Sequence, residues 1–210
     1  MNFEQFQGVL KSALRQPLPG SDAQHMLAPV GRTAFVPSQI EGTNIRQAGV
    51  MALFVETKTR PHLVLIERAT SKGVHSGQIA FPGGKVEEQD TSFKETALRE
   101  TEEEIGLKAS EIEVFGSFSP IYIPPSNFMV HPFTGIYHQE PQFIPQVSEV
   151  ANVITVDFND FLLDSSIKQQ RINVRGFNMD VPTFYVDGHT IWGATAMMLS
   201  ELRQMIIKVL

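Results

Sequence analysis

One stretch restricts the fold of this chain more than any other: a glutamate-rich helix signal bracketed on both sides by strand signals. From Thr91 to Ile105 apolar residues recur at helical spacing, and Gly106 follows where a left-handed residue can close a helix. Ser92, with Glu95 three residues on, has the form of a capping box, and Asp90 competes with it as N-cap. At about 100° per residue, Glu100, Glu103 and Glu104 share one arc of the helix. Ala97, Leu98, Thr101 and Ile105 fill the adjoining arc, which suits a core, while Glu102 points to solvent. A helix with one apolar arc and strands on either side of it in sequence must lie on a sheet.

The strands read as short apolar runs. Val50 to Val55 and Leu63 to Ile66 are separated by the polar stretch Glu56 to His62, as in a hairpin. Gln78 to Phe81 leads into Pro82-Gly83-Gly84. Beyond the helix come Val114 to Phe118, Val130 to Tyr137 and Val150 to Val156, then a short helix signal from Asp157 to Leu163. Val181 to Val186 and Thr190-Ile191-Trp192 flank Asp187-Gly188, a hairpin turn. Ala194 to Val209 reads as a closing helix with Met197, Met198, Leu202, Met205 and Ile206 on one face. Ahead of all this, Phe3, Phe6, Val9, Leu10 and Leu14 mark an amphipathic helix. Gln16 to Gln47, with Pro17, Pro19, Gly20, Pro29 and Pro37, reads as an extended arm with little regular structure. The expectation is an α/β fold, a mixed β-sheet sandwiched between α-helices (an α/β/α sandwich), over residues 48–210, preceded by the helix and arm of residues 1–47.

Three carboxylates on one stripe repel, at about 0.2–0.5 kcal/mol per like pair. They also sit in the last turns before Gly106, where the helix dipole disfavours an anion. A divalent cation compensates both effects, and Mg²⁺ in particular takes carboxylate and water oxygens while holding substrate phosphates. Gly83-Gly84 after a strand lets the backbone approach a ligand closely, with a Gly84 carbonyl available to a metal. Arg99, beside the stripe, is placed to pair with Asp90 and pin the preceding loop to the helix.

Composition narrows the chemistry further. The chain contains no cysteine, which removes disulfides, thiolate metal sites and a cysteine nucleophile. A formal net charge of -6 argues against a nucleic-acid backbone or an anionic membrane as the partner, because both select positive surface. A start without a charged segment ahead of an apolar run, and the lack of a membrane-length apolar stretch, lead to an expectation of a cytoplasmic protein.

Gly84, Asp90, Arg99-Glu100, Glu103-Glu104 and Gly106-Leu107 together resemble the Nudix box. Asp90 stands for the usual glutamate, one extra residue separates it from Arg99, and Thr101 holds an apolar position. An insertion inside the helix would rotate everything before it, so the extra residue belongs in the loop or at the helix start. The resemblance implies a Nudix fold and hydrolysis of a phosphoanhydride, with Glu100, Glu103, Glu104 and Gly84 holding Mg²⁺ or Mn²⁺. It gives Glu103 and Arg99 a part in catalysis and Gly83, Asp90 and Gly106 a part in the motif's shape. A separate base is expected to deprotonate the attacking water, and Glu149, just ahead of a strand, is the candidate.

From about Ala48 onward the chain is similar to the Nudix subgroup that splits coenzyme A into 3′,5′-ADP and 4′-phosphopantetheine. Arg68-Ala69, His75-Ser76-Gly77-Gln78-Ile79-Ala80-Phe81, Tyr122-Ile123-Pro124-Pro125-Ser126-Asn127-Phe128 and Ile191-Trp192-Gly193-Ala194-Thr195 carry that likeness. It implies coenzyme A as a small-molecule substrate, with Arg68, His75, Gln78 and Ser126 as contacts. The subgroup's arginine five residues after Arg68 is Gly73 here, with Lys72 beside it as a point charge only, and Ile66 replaces a threonine. A hydrolase of ADP-ribose or another nucleoside diphosphate derivative is therefore the alternative. A Nudix-fold regulator that binds ligand without catalysis is the rival of another class, although all three box glutamates are kept. The proline-rich arm also suggests a homodimer in which it embraces a second subunit.

Overall fold

A computed structural model describes residues 1–32, 44–69, 77–174 and 176–210. Its centre is a strand, β1 (Arg46–Thr57), whose apolar run is buried on both faces. Met51, Leu53 and Val55 face one core, while Ala48, Ala52 and Phe54 face the other, as the two-residue period of a strand requires. β2 (Arg60–Arg68) alternates in the same way, with Val64 and Ile66 on the first side and Leu63 and Leu65 on the second.

β1 and β2 are antiparallel and joined at Lys58-Thr59, both with positive φ (50° and 64°), the twist a two-residue hairpin prefers. The ladder runs on through Val55↔His62, Glu56↔Pro61 and Thr57↔Arg60. The turn is therefore tighter than the polar stretch suggests, because backbone pairing continues past the apolar residues. On its other side β1 runs parallel to β7 (Phe128–Tyr137), which pairs antiparallel with β5 (Ile112–Ser117) and the short β6 (Ile121–Ile123). β2 pairs with β3 (Ile79–Ala80) and β8 (Val150–Asp157). Early in β1 the partner on the β2 side is instead β4 (Gly83–Lys85), through Ala48↔Lys85, Gly49↔Gly84 and Val50↔Gly83. The glycine pair thus sits in a fork where β1 and β2 part.

Helix α3 (Phe93–Ile105) covers one face, burying Ala97 and Ile105 against Met51, Leu53 and Val64. The opposite face is covered by α1 (Phe3–Leu14), the short α4 (Phe158–Phe161) and α5 (Gly193–Ile207), around Phe6, Phe54, Phe158, Phe161 and Phe184. Phe6 and Phe54 have ring centroids 4.5 Å apart, and Phe54 meets Phe158 edge-on at 5.1 Å. This is the expected α/β/α sandwich. A three-stranded antiparallel unit, β9 (Ile167–Val174), β10 (Phe177–Val186) and β11 (His189–Ile191), adds Phe184, Val186 and Ile191 to the second core. Among the described residues no helix is long and apolar enough to cross a membrane.

Inside the stretch expected to be an extended arm, Gly20–His25 forms a helix, α2. It has no side-chain N-cap and is too short to be stable alone; it is held by α5. Buried Glu201 accepts from Gly20 N (3.1 Å), Gln24 Nε2 (2.8 Å) and Ser119 N (3.3 Å), and Ser200 Oγ donates to the Ala23 carbonyl (2.7 Å). These tertiary partners also explain how α5 buries polar residues beyond its expected apolar face.

Candidate active site

Ser92 opens α3 in extended conformation and accepts from Glu95 N at 3.2 Å. Only this half of the capping box forms: the Glu95 carboxylate turns to Thr91 N (2.8 Å) and Thr91 Oγ1 (2.5 Å). Asp90 is not the N-cap. Its carboxylate accepts Arg99 Nε and Nη2 at 2.9 Å each, along with Glu87 N (2.9 Å) and Thr96 Oγ1 (2.9 Å). Arg99 Nη2 also donates to the Lys85 carbonyl at 3.1 Å, so one guanidinium fastens the 85–90 loop to α3. The Arg99 hydrogen bonds hold Asp90 well below the usual carboxylate range, against the opposing effect of burial.

From this anchored start α3 runs down to the glycine turn. Glu104 is 2% exposed; its Oε2 accepts Gly83 N at 2.8 Å and its Oε1 lies 3.4 Å from Arg68 Nη1. Burial pushes its pKa up to about 7, opposed by the Gly83 N–H and Arg68, with Glu100 and Glu149 adding like-charge repulsion. Glu100 lies flat on Gly84: a Cβ there would come within 2.4 Å of the Glu100 Cδ. Burial raises the Glu100 pKa as well. Gly83, at φ +145° and with a would-be Cβ 2.4 Å from the Gly49 carbonyl, is restricted to glycine by conformation and by space. Gly106 closes the helix at φ 77°, as expected.

Glu103 behaves differently from its two neighbours. Its half-exposed carboxylate meets Arg99 Nη1 at 3.0 Å, and the same nitrogen lies 3.1 Å from Glu100 Oε1. The guanidinium therefore stands between the two acids. Among the described residues no three His, Asp or Glu side chains close around a common cation position. The shared arc brings Glu100 and Glu104 to the glycine turn but leaves Glu103 on the Arg99 side.

The Nudix domain family matches residues 45–175. The Nudix hydrolase NudL of Yersinia enterocolitica, itself uncharacterized, is 34% identical over 198 residues, which is 94% of this chain and 91% of that one. This chain belongs to the Nudix family of hydrolases. The uncharacterized NudL of Photorhabdus laumondii is 31% identical over 170 residues, 81% of this chain and 89% of its own. Among solved structures, the Mycobacterium smegmatis Nudix hydrolase RenU shares the fold with TM-score 0.54 at 13% identity, covering 88% of this chain and 95% of that one. A MutT/nudix family protein of Enterococcus faecalis gives 0.53 at 18% identity over 83% of this chain and 66% of its own.

Within this Nudix enzyme the other expected residues fall into three groups. Arg68 reaches Glu104, and its backbone bonds Gln78 O (N–H to O, 3.1 Å) and Gly77 N (3.1 Å) across residues 70–76. His75, Gly73 and Lys72 lie within 70–76 and so outside the described residues. Ser126 is buried in a tight turn, with Oγ donating to the Ile123 carbonyl at 3.5 Å, and serves the β6–β7 corner. Glu149 is exposed in the turn before β8, and its charge acts on both Glu100 and Glu104. What sequence reading missed is how Glu149 is held. Ile144 N donates to Ile105 O (2.9 Å), Gln146 N to Glu104 O (3.0 Å), Glu149 N to Gln146 O (2.9 Å) and Ala69 N to Glu149 O (2.7 Å). Residues 144–149 strap the end of α3, taking up carbonyls a helix terminus leaves free. These are backbone bonds, so no side-chain pattern announced them.

The donor set suits a divalent cation. Two carboxylates are withdrawn from water at the glycine turn, and among the described residues the more deeply buried one has a single guanidinium at 3.4 Å as counter-charge. All-oxygen donors are the kind Mg²⁺ and Mn²⁺ prefer.

Proposed function

We propose that this Nudix hydrolase cleaves the diphosphate of coenzyme A or its derivatives, releasing 3′,5′-ADP and the (acyl-)4′-phosphopantetheine, with Mg²⁺ or Mn²⁺ as cofactor. The observation that carries it is the seating of buried Glu104 and partly buried Glu100 on Gly83-Gly84, two acids against a backbone that phosphates can approach. The coenzyme A preference rests on the signature residues around Gly77-Gln78 and the 122–128 corner.

Glu100 and Glu104 would hold the cation, with Glu103 and the Gly84 carbonyl completing the donors. When bound, it neutralises the diphosphate and acidifies a water. Glu149, positioned by its strap to α3, would accept a proton from the attacking water. Arg99 orients Glu100 and Glu103 while Asp90 fixes Arg99. Arg68 neutralises Glu104 and contacts substrate, with His75 and Gln78 as further contacts. We place the reaction in the cytoplasm.

Gly73, in place of an arginine able to grip a phosphate, favours a second reading with ADP-ribose or a related diphosphate as substrate. Incubation with Mg²⁺ and a panel of coenzyme A, acyl-coenzyme A, ADP-ribose and dinucleotides, with product identification, separates the two. Turnover of ADP-ribose without turnover of coenzyme A would eliminate the first.

A further inference from the structure

The three long helices begin differently. Asn2 caps α1 and Ser92 caps α3 through their side chains, each accepting an N–H of the first turn. α5 starts with no side-chain cap, and no acidic residue stands in its first turn to offset the positive end of its dipole. Trp192 enters in extended conformation, and Gly193 turns the chain into the helix at φ +63°. A Cβ on Gly193 would meet nothing within 4 Å, so the space beside the first residue of α5 is open. Trp192, Gly193 and Ala194 are partly exposed, whereas every residue from Thr195 to Arg203 is buried. Little water screens the positive end of a helix so enclosed.

Thr195 is a second, independent observation. It is 7% exposed, yet its hydroxyl forms no hydrogen bond among the described residues. Thr96 and Thr101, which are buried on α3, each donate to a carbonyl one turn back, at 3.3 and 2.6 Å. A buried hydroxyl without such a bond is uncommon. Among the described residues the one side-chain polar atom both sealed from solvent and without a partner is His25 Nε2. The unbonded Thr195 oxygen is therefore not sealed, and the small accessible surface of this residue includes it. Helical side chains lean toward the N-terminus, so the opening it reaches is the one at Gly193 and Ala194.

We propose that the first turn of α5 binds a phosphoryl dianion, held by the Gly193, Ala194 and Thr195 N–H groups and the Thr195 hydroxyl. Helix N–H groups that lack a partner, aided by the dipole, accommodate such a group without a cationic side chain. α5 and α3 cover opposite faces of the sheet, so this site is distinct from the acids at Gly83-Gly84. It goes beyond the hydrolysis proposed above and does not depend on it.

The test follows the amide NMR signals of the full chain during titration with inorganic phosphate and, separately, with 5′-AMP. Chloride at matched ionic strength is the control, and Thr195→Val and Ala194→Asp are compared with wild type. In wild type the Gly193, Ala194 and Thr195 amides should shift saturably with phosphate, with a Kd of about 1 mM or lower. Thr195→Val keeps the side-chain shape and should weaken binding at least about fivefold. Ala194→Asp places an acid where the dipole favours one, so Tm should hold or rise while phosphate binding is lost. Thr195→Val carries the test should Ala194→Asp not fold. Saturation by phosphate alone makes the ligand the free ion, and saturation by 5′-AMP as well makes it a phosphate monoester; either upholds the site. Amides that do not saturate, that respond equally to chloride, or that keep wild-type affinity in either folded variant overturn it.

Discussion

Replacing Asp90 by Asn tests how the 85–90 loop and the glutamate-bearing helix α3 are joined. The carboxylate makes two charge-assisted bonds with Arg99 and accepts two more from Glu87 N and Thr96 Oγ1, with only 3% of its side chain exposed. Breaking a buried ion pair by removing one partner typically costs about 3–5 kcal/mol. Arg99 is 19% exposed and keeps Glu100, Glu103 and the Lys85 carbonyl, so the loss is nearer about 2–3 kcal/mol. For a chain of this size that lowers Tm by between about 4 and 12 °C. The pH dependence has a definite sign. Because the Asp90 pKa is depressed in the folded state, its stabilisation is complete above its ordinary value of 3.8 and is lost as pH falls below it. The wild-type advantage over Asp90→Asn should therefore hold at pH 7 and shrink below about pH 4. A second effect follows from the same geometry. Arg99 released from Asp90 can turn fully to Glu100 and Glu103, so the Mg²⁺ concentration for half-maximal activity should rise about 10- to 100-fold, as when an outer partner of a metal ligand is removed. Thermal melts from pH 3 to 8 and Mg²⁺ titrations of activity read both. A loss below about 1 kcal/mol together with an unchanged Mg²⁺ requirement would refute the reasoning.

Further outcomes are expected. Glu104→Gln should reduce kcat by at least about 10²-fold while the fold persists, because it removes a metal donor rather than a core contact; undiminished turnover would end the metal assignment. In chelator-treated wild type, stability should fall as pH rises from 4.5 to about 7, since folded Glu104 holds its proton more tightly than the unfolded chain does; Glu104→Gln should flatten that slope in denaturant titrations. Gly84→Ala should push the Glu100 carboxylate aside, a flexible side-chain end, and so lower activity more than Tm. Gly83→Ala, strained at φ +145° and blocked by backbone, should lower both, by about 1–3 kcal/mol or more in stability. Glu149→Gln should lower kcat by about 10²-fold with KM little changed; an undiminished kcat would clear Glu149 of the base role.

Elements that bury a continuous apolar run were legible in the sequence. Val50 to Val55 and Leu63 to Ile66 are the buried spans of β1 and β2, and Thr91 to Ile105 differs from α3 only at its capped start. Gly106 and Asp187-Gly188 were legible because positive φ has a residue signature. Lys58-Thr59 adopts the same geometry without that signature, so the hairpin was legible but its turn was not. β6 has three residues, and β9 (Ile-Lys-Gln-Gln-Arg-Ile-Asn-Val) is too polar to stand out; both exist because a partner strand pairs with them. The helix at Gly20–His25 likewise depends on Glu201 and Ser200, far away in sequence. In the site, spacing placed Glu100 and Glu104 together and anticipated the Asp90–Arg99 pair. It did not separate Glu103 from them, because an arc on a helix says which way a side chain leaves the axis and not which neighbour it meets.

The position of the glycine pair links the fold to the chemistry. β1 and β2 separate just where β4 enters, so the backbone of Gly83-Gly84 lies at a fork in the sheet rather than on its surface. A helix laid across that fork buries whatever it carries there, and α3 carries two acids. Burial raises the free energy of both carboxylates, which is unfavourable for folding but strengthens any cation bound between them, because the surrounding dielectric is low. Glu104 is partly neutralised by the Gly83 N–H and Arg68, and Glu100 by Arg99. Each of these partners leaves the glycine turn open to a ligand: one is backbone, one approaches no nearer than 3.4 Å, and one is held back by Asp90. Under the proposed hydrolysis, the stability given up at Glu104 and Glu100 would be recovered as affinity for the ion it requires.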